Sequence, residues 1–134
     1  MQIALIIAVS LHILSSVFWA GTSFTLARTG GAGGERLFRP QMGTVVIAVL
    51  TGGYLGHLVH AGAFGTAERV LAVGALAALI AAGVQGAIGG RAIRSLHTGK
   101  TDEGGARSRI AVAQRIAAGL LAVTAVCMGA ARYV

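Results

Sequence analysis

The sequence predicts an all-α protein, a four-helix transmembrane bundle forming a single membrane domain over 1–134. Three observations predict it. The chain is 55% hydrophobic and 11% charged, whereas soluble domains carry roughly 25% charged residues. Its apolar residues gather into four segments, each about the length a helix needs to cross a bilayer. The polar and basic residues fall between those segments. A chain of 134 residues with four such segments has no room for a separate soluble module.

The first span is read over about 2–27. It is apolar apart from small polar residues such as Ser10, Ser15, Ser16 and Ser23, which membrane helices tolerate on their contact faces. His12, Ser16, Trp19 and Ser23 recur at spacings of four, three and four and share one face. The segment does not read as a cleavable leader, because it lacks a positive n-region and its only positive flank is C-terminal. The linker RTGGAGGERLFRP reads as flexible and basic, and Pro40 is placed at the first turn of the second span, about 40–62. Near the end of that span, TGGYLGHLVHAG puts Gly53, Gly56, His57 and His60 on one stripe. The glycines leave a groove where a backbone or a flat ligand can come close. The third span, about 68–93, is rich in alanine and glycine, with Gln85 as its strongly polar interior residue and a GxxxG pattern at Gly86 and Gly90. The fourth covers about 110–131, with Arg115 near its start, where it can snorkel, and Cys127-Met128 near its end.

Charge sets the expected orientation. Arg28, Arg36, Arg39, Arg91, Arg94, Lys100, Arg107, Arg109 and Arg115 lie in or beside the first and third connections, against Arg69 and Arg132 at the other side. Basic loops stay in the cytoplasm, so both termini are expected on the outer, periplasmic side of a bacterial inner membrane. The net charge of +7 does not point to nucleic acid, because the basic residues sit in short connections between apolar spans, with no interleaved aromatics. One cysteine, Cys127, forms no internal disulfide. Glu35, Glu68, Asp102 and Glu103 all lie outside the predicted spans, which argues against acid–base catalysis or proton pumping inside the membrane.

An ionisable residue within a membrane span is costly and is a functional candidate by default. His12, His57 and His60 are the candidates here, all in the outer half of the bundle, with His12 and His57 best matched in depth. Two histidines on facing helices suit the axial positions of haem iron, so His12 pairs first with His57 and alternatively with His60. Gly53 and Gly56 would supply the groove, Trp19 and Tyr54 its lining, and Arg69 and Arg132 the cations for the propionates. A copper site is the competing metal reading, because the soft sulfur of Cys127 and Met128 ends the fourth span near the depth expected of His57 and His60. Adjacent helical residues diverge, however, so both sulfurs do not easily face one site. A structural His12, bonded to a serine or a carbonyl, stands beside both. His97, in a polar loop, reads as solvated.

Leu11-His12, Trp19 and Gly21 form the pattern L-H-x6-W-x-G. It resembles the first helix of two groups of small bacterial membrane proteins, the HemJ-type protoporphyrinogen oxidases and the CopD-type copper-resistance proteins. Arg36-Leu37-Phe38-Arg39-Pro40 is also similar to the HemJ-like pattern, and together the resemblance covers about the first half of the chain. It implies a four-helix membrane haem protein with His12 as a ligand. The chain departs from the HemJ-like group in two ways. It has no basic residue inside the second span, and it carries the His57–His60 pair, which is more similar to a bis-histidine cytochrome b.

The expectation is therefore an integral membrane b-type haem protein in electron transfer between a quinone or flavin-type donor and a partner at the outer face. The alternatives are a haem-dependent porphyrinogen oxidase, a copper-handling protein and a haem-free assembly subunit. The Ala- and Gly-rich faces of the third and fourth spans suit a homo- or hetero-oligomer.

Overall fold

A computed structural model of the chain describes every residue except Ala63. It is all-α. Four helices, α1 (Gln2–Arg28), α2 (Gly34–His60), α3 (Thr66–His97) and α4 (Glu103–Ala130), are each long and apolar enough to cross a membrane. Within α3, a π-helical turn over Gln85–Gly89 separates the α-helical stretches Thr66–Val84 and Gly90–His97.

The helices outrun the predicted spans, mostly at the basic end. Hydropathy marks where apolar sequence stops, but a polar helix continues wherever its backbone bonds are satisfied. So α3 runs on to His97, and α4 begins at Glu103, capped by Asp102, whose carboxylate accepts the Gly105 N–H at 2.7 Å. The expected first-turn position of Pro40 is corrected in the same way. The helix starts at Gly34, and Pro40 lies inside it. Proline lacks the N–H that would reach the carbonyl four residues back. Both Arg36 and Pro40 are exposed, so that carbonyl can find a partner outside the protein.

The glycine-rich linker folds as a short turn rather than a loose tether. Gly31 takes a φ of +81° and donates its N–H to the Leu26 carbonyl at 2.8 Å. A Cβ on it would run into the backbone carbonyl of Arg107. Glycine serves twice at this residue, for a left-handed backbone and for close approach to α4.

The packing is inverted relative to a water-soluble bundle. The buried residues are mostly small or amide-bearing, such as Ala81, Ala113, Ala117, Ser23, Gln41 and Gln85. Ile6, Leu14, Val17, Leu50, Leu76 and Val126 are exposed. Water would penalise that much apolar surface. Lipid would not, and in lipid helices are held by close packing of small residues and by hydrogen bonds between helices. The fold supports a multi-pass membrane protein on this ground as well as by helix length.

Around the bundle the order is α2, α1, α4, α3. The α1–α2, α1–α4 and α3–α4 seams are extensive, while α2 and α3 barely meet. The apolar core joins Trp19, Val45, Ala48, Ala81, Ala117 and Leu121 from all four helices. The tightest helix approach is between α3 and α4. There Thr124 Oγ1 donates to the Gly74 carbonyl at 2.9 Å, and a Cβ at residue 74 would lie 2.9 Å from Cys127 Cβ.

Candidate functional site

Two polar regions stand out, one toward the basic end of the bundle and one toward the opposite end. The first is an amide network buried at the centre. Gln41 on α2, Gln85 on α3 and Gln114 on α4 meet Trp19 and Ser23 of α1. The Trp19 indole N–H donates to Gln85 Oε1. Gln85 Nε2 donates to Ser23 Oγ at 2.8 Å and to Gln114 Oε1 at 2.7 Å. Gln114 Nε2 donates to Gln41 Oε1 at 2.9 Å, and Gln41 Nε2 donates to Thr22 Oγ1 at 2.9 Å. Gln85 is 1% exposed and Gln41 is fully buried. Among the described residues no buried side-chain nitrogen or oxygen lacks a partner. A network so complete locks four helices in register, because parting the helices would leave polar atoms bare in an apolar medium. The π turn begins at Gln85 itself, where the helical repeat widens and re-aims the side chains that follow.

The second region is built on His12. Its Nδ1 lies 3.0 Å from the Ala48 carbonyl and 3.1 Å from Thr51 Oγ1. A carbonyl only accepts, so Nδ1 carries the proton and donates. Thr51 places its own hydroxyl proton on the Ile47 carbonyl at 2.6 Å. With Nδ1 committed as donor, Nε2 is the ring nitrogen left unengaged, and among the described residues it has no hydrogen-bond partner. Metal-bound histidines are oriented in this way, with the distal N–H fixed by a carbonyl or carboxylate. Gly52 makes the arrangement possible, because a Cβ there would stand 3.0 Å from His12 Cε1.

His60 is held similarly. Its Nδ1 meets Glu68 Oε1 at 2.9 Å, and the other oxygen of Glu68 accepts the Gly65 N–H at 2.8 Å. This joins the end of α2 to the start of α3. His57 is exposed on α2 and has no hydrogen bond among the described residues. Gly53 and Gly56 border open space. The glycine that meets a histidine ring is thus Gly52, one residue before the predicted stripe. Beside Thr51 runs a shallow apolar groove of about 400 Å³ between α1 and α2, lined by Ala4, Ile7, Ala8, Leu11, Leu50, Thr51 and Tyr54.

The remaining candidates scatter. Trp19 is buried, 3% exposed, and committed to Gln85. Tyr54 is 44% exposed at the groove, and Arg69 and Arg132 are exposed. Cys127 stands against Gly74, while Met128 is exposed. His97 is exposed at the end of α3. No group of three or more His, Cys, Asp or Glu among the described residues is placed to hold a metal ion.

Sequence reading missed Gln41 and Gln114, and the available signal was one glutamine on each of three successive apolar helices. Comparison with family models, curated proteins and solved structures finds no match.

Proposed function

We propose that the chain is an integral membrane b-type haem protein that passes electrons, with His12 as an axial ligand. The observation that carries this reading is the His12 Nδ1–Ala48 bond at 3.0 Å, which holds the ring with Nε2 unengaged. His57 is the first choice for the second ligand because no described residue competes for it, and His60, held by Glu68, is the alternative. Haem supplies one-electron chemistry at its iron. The chain's part is to aim His12 and to offer the apolar groove between α1 and α2 that Thr51 and Tyr54 line. Arg69 and Arg132, exposed at the same end of the bundle, are the cations available to the propionates. By charge bias the basic end lies in the cytoplasm and the His12 end toward the outer face of a bacterial inner membrane. Electrons would then pass between a quinone or flavin-type donor and a partner at that face.

A haem-free assembly or packing subunit is the second reading, and two observations favour it. His12 is bonded to a backbone carbonyl, the arrangement expected of a structural histidine. The amide network ties all four helices together with no buried polar atom unsatisfied among the described residues. Titration of the purified protein with haem separates the two. His12→Asn keeps an N–H at the position of Nδ1 for the Ala48 carbonyl but offers no imidazole. Wild type is expected to develop a low-spin spectrum that His12→Asn lacks at equal helix content. Equal spectra, or none in either, would overturn His12 as the ligand.

A further inference from the structure

We propose that the groove between the basic ends of α2 and α3 binds the headgroup of an anionic phospholipid, with an acyl chain along the seam between those helices. The groove encloses about 440 Å³. Its floor is apolar. Phe38 lies against α3, where a Cβ on Gly89 would stand 3.3 Å from its ring, and Ile93 continues the wall. Its rim is cationic, with Arg36 and Arg39 from α2 and Arg94 from α3, all exposed. His97 and Thr98 add polar groups, and Glu35 opposes with one negative charge.

Two features select a lipid over a soluble anion. The guanidinium groups stand where two apolar spans emerge, at the level expected of a phosphodiester headgroup. The apolar floor continues into the loosest seam of the bundle, because α2 and α3 meet chiefly through Phe38 and Met42 here and through His60 and Glu68 at the far end. A free phosphate would use the rim and leave that floor uncovered. The site is independent of the haem reading and lies at the other end of the bundle from His12.

The test is native mass spectrometry of the full chain in detergent, offered phosphatidylglycerol or phosphatidylcholine. Wild type is expected to retain phosphatidylglycerol in preference. R36Q/R39Q/R94Q is expected to lose that preference by about fivefold for each arginine. R28Q/R107Q/R109Q removes equal charge outside the groove and is expected to keep it. If the groove variant fails to fold, Arg94→Gln alone carries the test with an expected loss of about fivefold. Equal retention by the groove variant, equal loss in both triple variants, or displacement of the lipid by inorganic phosphate would each overturn the proposal.

Discussion

The two halves of the bundle handle their polar groups in opposite ways. Toward the basic end, Gln41, Gln85, Gln114, Ser23 and Trp19 spend their hydrogen bonds on one another. Toward the other end, His12 uses one nitrogen on the α2 backbone and keeps the second available. Polar groups in an apolar medium are costly, so each region needs a reason. The closed network repays its burial in helix register. The half-used histidine does so only in part, and it is the place to look for chemistry. The surroundings agree, since Gln41, Gln85 and Gln114 are buried while His12 is half-buried over a glycine.

The largest expected effect comes from opening the network. Gln85→Leu removes bonds to Trp19, Ser23 and Gln114. At ~0.6–1.7 kcal/mol for each bond between membrane helices, the loss is about 2–5 kcal/mol. Unfolding in mixed micelles would measure it, and a loss near zero would show that the network is not what holds the helices. Next is Gly52→Leu, which must push the His12 ring off its partners. Overpacking of this kind costs about 1–3 kcal/mol, and haem uptake should fall with it. Trp19→Phe keeps the aromatic body and drops one bond to Gln85, an expected loss of about 1 kcal/mol with haem uptake unchanged. A loss of uptake instead would place Trp19 in the cofactor site. Smallest is Gly53→Ala, where a Cβ meets open space and only helix propensity changes, for a gain of up to ~1 kcal/mol. Together, the neighbouring Gly52 and Gly53 variants measure whether the His12 ring is as tightly seated as its bonds suggest.

Much of the fold was legible from hydropathy alone, because four apolar runs in a short chain leave few alternatives. The helix ends were not. Pro40 looks like a start signal, yet α2 begins at Gly34 because an exposed helix face tolerates the missing bond. His12 stood out in the sequence because an imidazole in a long apolar run must find a polar partner, and it does so at the Ala48 carbonyl. Its partners were not, because facing residues across α1 and α2 are set by rotation about each helix axis. One residue of rotation separates Gly52, which meets the ring, from Gly53, which does not. Gln41 and Gln114 escaped for a related reason. Each lies near the start of a predicted span and reads there as an ordinary polar end, and only the bundle brings them together with Gln85.

The most direct measurement is a reduced-minus-oxidised visible spectrum of the purified protein, with iron and copper determined on the same sample. A sharp low-spin b-type α-band with about one iron per chain is the expected result for a haem held by two imidazoles. A featureless spectrum with neither metal would contradict it. His12 would then be a structural histidine holding α1 to α2, and the open half of the bundle would be packing like the closed one.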